Sequence, residues 1–310
     1  MKAFVKWNYV VLATILLVVI AGSVVRMTQS GMGCPDWPKC FGRWIPPTNE
    51  SQLPFNYKEL YQFKYVDTSF NVYHTWVEYI NRLLGALLGV FVLIQLGWSV
   101  KFIKTHRSVV LLSLALVLLT GFQGWLGKLV VDANLASVKI TIHLIGALVI
   151  AAVSLTCVFI LNNNTPLQQP VSKRYKILSI IALVMLLAQI MLGTLVRAQI
   201  DEISFALQFI HRELWIDKLD YLFYIHRTSS LAFLGLLLYM YSSVKNNISY
   251  AITYKILLGS VLAEIFIGIV LAYFAMPALA QPAHLLCATV LFLALTYNLL
   301  LSFSVKNEIW

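Results

Sequence analysis

Eight long runs of apolar residues, separated by shorter polar segments, dominate the pattern of this chain. Each run is close to the roughly 20 residues that a helix needs to cross the hydrocarbon core of a bilayer. The runs cover residues 9–26, 76–99, 109–130, 140–161, 177–196, 220–242, 253–275 and 281–303. The pattern predicts an all-α integral membrane protein with eight transmembrane helices.

Composition agrees with this prediction. Hydrophobic residues make up 60% of the chain and charged residues only 12%, far from the averages of soluble domains. The first run follows Lys2 and Lys6, as in a secretory signal, but it is long for a signal peptide and lacks an A-x-A-like cleavage site. We therefore expect it to remain as a membrane anchor.

The distribution of lysine and arginine predicts the orientation. Positive residues cluster after the second and fourth runs, around the connection of the sixth and seventh runs, and at the C-terminal tail. Cytoplasmic loops carry this excess, so both termini are expected in the cytoplasm, with segments 27–75 and 197–219 outside a bacterial inner membrane. The net charge of +10 then reflects topology and contact with anionic lipid. No basic stripe interleaved with aromatic residues indicates nucleic-acid binding.

The four cysteines divide into two kinds. Cys34 and Cys40, in "GCPDWPKC", lie in the first outer segment, where the compartment permits a disulfide. A metal site is the alternative, although no histidine or further cysteine lies nearby to complete a tetrahedral set. Cys157 and Cys287 stand alone inside helices, where packing is the expected role.

Two short motifs indicate an internal repeat. "GSVVR" at 22–26 recurs as "GTLVR" at 193–197, and "YINR" at 79–82 recurs as "YIHR" at 224–227. Each pair lies on corresponding helices of the two halves, the first and fifth or the second and sixth. A repeat of four helices follows.

The remaining helices repeat as well. Gly127 and His143 are separated by 16 positions, as are Gly268 and His284. The prediction is therefore two four-helix bundles, residues 1–165 and 166–310. Because four spans return the chain to its starting side, the halves are expected to be parallel repeats about an axis along the membrane normal.

Four polar residues are predicted to share one layer near the outer surface. Asn81, His143, His226 and His284 each lie within the first two turns of a helix that enters from the outside. His226 and His284 belong to the same half, an arrangement in which a bundle holds a cofactor between facing side chains. Two imidazoles at one depth suit the axial positions of a heme iron. The alternative is that these histidines only hydrogen-bond across helices.

Four arginines lie near this layer. Arg82 and Arg227 directly follow Asn81 and His226, whereas Arg26 and Arg197 end their helices on the outer side. Bidentate guanidinium groups suit carboxylates, so heme propionates are the expected partners. For the two arginines at helix ends, snorkelling to lipid headgroups is the alternative.

Two carboxylates are embedded in predicted spans. Glu78 lies three residues before Asn81 on the same helix face and is a candidate for proton transfer. Its alternative role is an ion pair with Arg82, four residues later. Glu264 corresponds to Gln123 in the repeat and is expected to be a structural hydrogen-bonding group.

The chain resembles the heme A synthase family over essentially its whole length. The resemblance is carried by "GSVVRMTQSGMGCPDWPKCFGRWIPP", by "WVEYINRLLG" and by histidines on the fourth, sixth and eighth helices. It implies a heme b held by His226 and His284 in the C-terminal half. It also implies that the N-terminal half oxidises a ring methyl of heme O to a formyl group, giving heme A for cytochrome oxidase. The essential glutamate of the family maps onto Glu78, and its cysteine pair maps onto Cys34 and Cys40.

Asn81 departs from the family pattern, since many members have "EYxHR" and a histidine is expected there. Three alternatives follow: a substrate heme held by His143 alone with an open face, a different ligand, or a pocket that has lost the reaction. His74 is the obvious substitute, but it lies seven residues earlier, about 10 Å along a helix. An open face is the preferred hypothesis.

Two other classes of function remain alternatives. One is a diheme electron-transfer protein without substrate oxidation, and the other is a heme transporter or chaperone. Expected partners are membrane lipid, heme O, an electron donor and a farnesyltransferase that produces heme O, with a homo-oligomer left open. The outer segments 41–75 and 199–219 are expected to lie over the two heme sites.

Overall fold

The computed structural model describes residues 1–61, 70–162 and 171–304 and is helical almost throughout. Its α-helices are α1 (Lys2–Met27), α2 (Tyr57–Leu60), α3 (Val72–Ser99), α4 (Arg107–Asp132), α5 (Ser137–Asn162), α6 (Lys173–Ala206), α7 (Tyr221–Val244), α8 (Ile248–Tyr273) and α9 (Ala280–Phe303). All except α2 are long and apolar enough to cross a membrane, which confirms the eight predicted spans. Within the described ranges the only β-type pairing is an isolated bridge between Cys40 and Arg43. The chain is a multi-pass membrane protein.

The chain divides into two compact units, Met1–Ser154 and Leu155–Trp310. The predicted boundary between residues 165 and 166 lies outside the described residues. In the first unit, α3 packs against both α1 and α4. In the second unit, α6, α7, α8 and α9 form a closed ring of neighbouring helices. The second unit is therefore a four-helix bundle, the architecture that can hold a cofactor between facing side chains.

Polar side chains connect the helices of the second unit well away from the predicted histidine layer. The Tyr175 hydroxyl donates to Asn298 Oδ1 at 2.8 Å, and its oxygen lies at hydrogen-bonding distance from the Tyr254 hydroxyl oxygen, at 3.0 Å. All three side chains are buried. Tyr175 precedes Gly193 by about 27 Å of helix. The bundle is thus fastened at one end, where α6, α8 and α9 meet.

Helix α6 is longer than predicted, which corrects the outer segment 197–219. The apolar run ends at residue 196, but the helix continues to Ala206. Arg197 forms an ion pair with Asp201 one turn later at 2.9 Å, and Ile200 is buried against Trp215 and Leu219. A helix of 34 residues spans about 51 Å, more than the roughly 30 Å hydrocarbon core. The extension is stabilised by this amphipathic packing, which a search for apolar runs does not detect.

The outer segment of the first unit is folded against α3. A disulfide joins Cys34 and Cys40, with an S–S distance of 2.06 Å. Both cysteines are buried in a cluster with Phe41 and Tyr57. The disulfide interpretation is confirmed, and among the described residues no group of three or more His, Cys, Asp or Glu side chains could hold a metal ion.

Two aromatic side chains of α3 fasten this segment further. The Tyr79 hydroxyl donates to the carbonyl oxygen of Trp44, and the Trp76 indole N–H donates to that of Pro47 at 3.3 Å. The segment therefore rests on the N-terminal end of α3, beside Glu78.

Candidate functional site

Each of the four residues predicted to share a layer faces a glycine on the preceding long helix. An ideal Cβ built on the glycine would lie 3.9 Å from Asn81 Oδ1 at Gly22, 3.6 Å from His143 Cε1 at Gly127, 3.1 Å from His226 Cε1 at Gly193 and 3.8 Å from His284 Cε1 at Gly268. The glycines leave the space that the polar side chains occupy. The same pairing recurs in both units, as the sequence repeat predicts.

In the second unit, His226 on α7 and His284 on α9 lie close enough to interact electrostatically. Nδ1 of His226 is buried and has no hydrogen-bond partner. Gln189 on α6 donates to the backbone oxygen of His226 at 2.6 Å and accepts from the Ser229 hydroxyl at 2.6 Å. Since Gln189 holds this turn of α7 from the neighbouring helix, the position of His226 is set by two helices.

His284 has a carboxylate partner that the sequence analysis did not assign. Its Nδ1 lies 2.8 Å from Oε2 of Glu264 on α8, and Oε1 of the same glutamate is buried without a hydrogen-bond partner. The distance between Oε2 and Nδ1 is that of a hydrogen bond, but the two groups are not aligned for a linear one. Glu264 was predicted to be a structural hydrogen-bonding group, and the residue that it contacts is a candidate heme ligand. The sequence could have indicated this contact, because Glu264 lies one helical turn before Gly268, the glycine that faces His284.

The first unit has a different arrangement around His143. Nδ1 of His143 and Oδ1 of Asn81 are both buried and have no hydrogen-bond partner. Gln123, at the position that corresponds to Glu264, fills the space beside Gly146: an ideal Cβ on Gly146 would lie 1.6 Å from Gln123 Nε2. The two units therefore match in their glycine positions and in His143 and His284. They differ at Asn81 and His226, and in the side chain that accompanies the imidazole of the last helix.

His74 is separated from Asn81 along one continuous helix. It lies in the first turn of α3, whose N-cap residue Asn71 accepts a hydrogen bond from the backbone N–H of His74 at 3.2 Å. Seven residues of helix place His74 about 10 Å from Asn81 along the axis. Its carbonyl oxygen also meets Gly33, where a Cβ would lie at 2.3 Å. Only glycine allows this close approach of the outer segment to α3.

Glu78 and Arg82 both hydrogen-bond to the backbone of the disulfide loop, residues 34–42. Oε2 of Glu78 accepts the backbone N–H of Cys34 at 2.8 Å, and Oε1 accepts from Arg82 Nε at 3.1 Å. The guanidinium also donates to the carbonyl oxygens of Asp36 at 2.6 Å, Lys39 at 3.0 Å and Cys34 at 3.1 Å. The Glu78 side chain is only 5% exposed. The ion pair between Glu78 and Arg82, the alternative role predicted for Glu78, is present. Both side chains also hydrogen-bond to the backbone of the loop.

The loop also has internal hydrogen bonds. The Asp36 carboxylate accepts the backbone N–H groups of Phe41 at 2.5 Å and Gly42 at 2.9 Å. Burial and the neighbouring Asp36 carboxylate raise the pKa of the Tyr61 phenol, so this side chain is neutral where it packs on Phe41. Glu78 and Arg82 therefore hydrogen-bond to a loop that also has hydrogen bonds of its own.

Among the described residues of the second unit, no glutamate and arginine pair holds a loop in this way. Phe223 precedes His226 by three residues, where Glu78 precedes Asn81. The exposed Arg227 guanidinium instead lies over the rings of Phe223 and Tyr224, at 5.8 and 5.3 Å from their centroids.

Arg26 and Arg197 also differ in setting, because α6 continues past Arg197 to Ala206 and only Arg26 lies at a helix end as predicted. Arg197 donates to Gln281 Oε1 at 2.8 Å, in addition to its ion pair with Asp201. Arg26 lies in the last turn of α1. The Gln281 contact links α6 to α9 near His284.

Comparisons with known proteins place these residues in a family context. The family model COX15-CtaA, described as cytochrome oxidase assembly protein, matches residues 5–296. The heme A synthase of Shewanella oneidensis is 31% identical over 184 residues, which cover 57% of this chain and 52% of that protein. The heme A synthase of Bartonella tribocorum is 27% identical over 215 residues, covering 63% and 58%. That of Alkalihalophilus pseudofirmus is 33% identical over 143 residues, covering 46% and 41%. The chain thus spans about half the length of the curated relatives it matches.

Proposed function

Because this chain belongs to the COX15-CtaA family of cytochrome oxidase assembly proteins, we propose that it is a heme A synthase. Its substrate would be heme O and its product heme A, made by oxidising a ring methyl to a formyl group. The observation that carries the proposal is the family match over residues 5–296, which include every candidate site residue. Relatives named heme A synthase support the same reaction.

The second unit fits a resident heme b. Its donor set is two imidazoles on two helices of one bundle, each beside a glycine that leaves room for the ring. Two imidazoles are suitable protein ligands for a heme iron, which would supply one-electron transfer. His226 and His284 would hold it, and Arg227 and Arg197 would pair with its propionates. Arg227 is the more exposed of the two.

The first unit would receive the substrate. His143 is the candidate ligand on one face, and Asn81 occupies the position opposite Gly22 where a second histidine would stand. Asparagine is a poor iron ligand, so the substrate would keep an open face toward the oxidant. His74 supports the alternative in which a second ligand lies nearer the outer surface. Arg26 is the candidate partner for a substrate propionate.

Glu78 is the candidate catalytic residue of this unit. Oxidation of a methyl carbon requires successive removal of electrons and protons, and Glu78 is the only carboxylate on the same helix face as Asn81 in the described part of α3. Both of its oxygens are engaged, one by Cys34 and one by Arg82. Proton transfer would therefore require one of these hydrogen bonds to be released. Arg82, which the sequence suggested as a propionate partner, would act here mainly by holding Glu78 and the loop.

The location follows from the helices and the charges. The protein would lie in the bacterial inner membrane, with both heme sites toward the outer face and both termini in the cytoplasm. Heme O is hydrophobic, so transfer from the farnesyltransferase that makes it would proceed through direct contact or lipid. An electron donor would be required, and a homo-oligomer is a further hypothesis.

The test is analysis of extracted hemes by chromatography and mass spectrometry after expression in a host that makes heme O but no heme A. We expect heme b together with heme A or its hydroxymethyl precursor. A Glu78→Gln variant should retain heme b and lose the oxidised products. Heme b alone in the wild-type protein, in cells that contain heme O, would contradict the proposal and favour a diheme electron-transfer protein. Unchanged heme O bound without any oxidised product would favour a carrier.

A further inference from the structure

Glu264 is a carboxylate within a described membrane span that contacts His284, a residue of the second site, and the proposed reaction does not use it. It lies on α8 with its side chain 14% exposed, and its Oε2 is 2.8 Å from Nδ1 of His284. An ionisable group inside a membrane span is costly unless it is paired. The imidazole of a candidate heme ligand provides that pairing.

The contact involves Nδ1 of His284, which leaves Nε2 available to bind iron. A histidine that binds iron through Nε2 presents its Nδ1–H to the surroundings, and a carboxylate there fixes the ring orientation and strengthens the ligand. The angle between Glu264 and His284 is short of linear. Such hydrogen bonds often tighten only when the site is loaded.

The first unit lacks a counterpart of the contact between Glu264 and His284 among its described residues. Gln123 stands in place of Glu264, but its amide occupies the space beside Gly146. It leaves Nδ1 of His143 buried without a partner. In the second unit the corresponding position, three residues after His284, is Cys287. Cys287 carries a side chain where Gly146 has none, and Glu264 contacts the histidine instead.

We propose that Glu264 is a positioning residue that orients His284 and strengthens it as a ligand. This inference rests on the proposed function. It makes the heme of the second unit a tightly held resident with a lowered reduction potential. His143 has no such partner, so the first unit holds its heme weakly enough to take up substrate and release product. The difference between Glu264 and Gln123 therefore explains why the second unit would retain its heme and the first unit would exchange substrate for product.

The test compares wild-type protein with Glu264→Gln and Glu264→Leu. Two quantities are measured on purified holoprotein: the rate at which heme b passes to excess apomyoglobin, and the midpoint potential of the low-spin heme. We expect heme loss to be about tenfold faster in Glu264→Gln and faster still in Glu264→Leu. The potential should rise in the same order, because a weaker ligand stabilises ferric iron less. A purely structural role would not move the potential in this order.

Glu202→Gln is the matched control, since it removes an exposed carboxylate from α6 of the same unit. It should match wild type in both measurements. If Glu264→Leu does not fold, Glu264→Gln carries the test, because it keeps the shape of the side chain. Equal heme loss and equal potential in Glu264→Gln and wild type would overturn the inference. Wild-type protein that contains no heme b would instead contradict the proposed function, so the two failures are distinguishable.

Discussion

Glu78 accepts a hydrogen bond from the backbone N–H of Cys34 at 2.8 Å. A buried carboxylate of a transmembrane helix is thereby tied to one end of a disulfide in the outer segment. Arg82 completes the contact by donating to Glu78 and to three carbonyl oxygens of the loop. The proposed catalytic carboxylate and the disulfide loop therefore form one structural unit.

Arg82→Lys should loosen this unit. Lysine keeps the charge but cannot reproduce the planar set of donors, so carbonyl oxygens of the loop lose their partners. We expect a loss of about 1–3 kcal/mol in stability and a several-fold faster reaction of the Cys34–Cys40 disulfide with a small reductant. Thermal unfolding and mass labelling of the released thiols with a maleimide measure both effects.

Arg43→Lys is the control for this experiment. Arg43 makes an exposed hydrogen bond to the Gln52 carbonyl oxygen at 3.3 Å, and its replacement should change stability by no more than about 0.5 kcal/mol. If both variants release thiols at the wild-type rate, Arg82 does not restrain the loop.

Gly193→Ala should disturb the heme b site. Its Cβ would lie 3.1 Å from His226 Cε1, so the imidazole or α6 must move. We expect a cost of about 1–3 kcal/mol and a lower heme b content per chain. Gly235→Ala is the control, because a Cβ there meets nothing within 4 Å. It should be neutral or stabilise the helix by up to about 1 kcal/mol. Normal heme b content and normal stability in Gly193→Ala would show that the close approach is not required.

Asn81→His should restore a second imidazole in the first unit. It would stand opposite Gly22, as His226 stands opposite Gly193. We expect the substrate heme to be retained more strongly, with a low-spin signal in electron paramagnetic resonance and slower turnover, because the open face is closed. His74→Ala should leave heme O binding and turnover unchanged. Loss of the substrate heme in His74→Ala would instead identify His74 as the second ligand and exclude the open face.

Single cysteines can test the orientation. Gln52→Cys lies in the outer segment and Thr105→Cys in the connection between α3 and α4. On intact cells, a membrane-impermeant maleimide should label the first and not the second, whereas both should react after the membrane is opened. Unsubstituted protein is the control for background labelling. The opposite pattern would invert the topology and place the histidine layer toward the cytoplasm.

Much of the fold follows from local features of the chain. The eight spans were predicted because run length and hydrophobicity are properties of contiguous residues, and the structure contains all eight. The Cys34–Cys40 disulfide was also predicted, since the expected outer compartment permits a disulfide and no further metal ligand lies nearby in the sequence. The extension of α6 to Ala206 was not predicted, because it depends on packing of Ile200 against Trp215 rather than on an apolar run.

The sequence alone determined the membrane class, and it predicts a repeat and a common layer of Asn81, His143, His226 and His284. These rest on spacing along single helices, which helical geometry converts directly into depth. Only the tertiary structure decided that Glu78 holds Cys34, that Glu264 contacts His284 and that Gln123 fills the space beside Gly146. Those contacts join side chains from different segments. They depend on rotamers and on the space left by a neighbouring glycine or cysteine, which no pattern along one helix specifies.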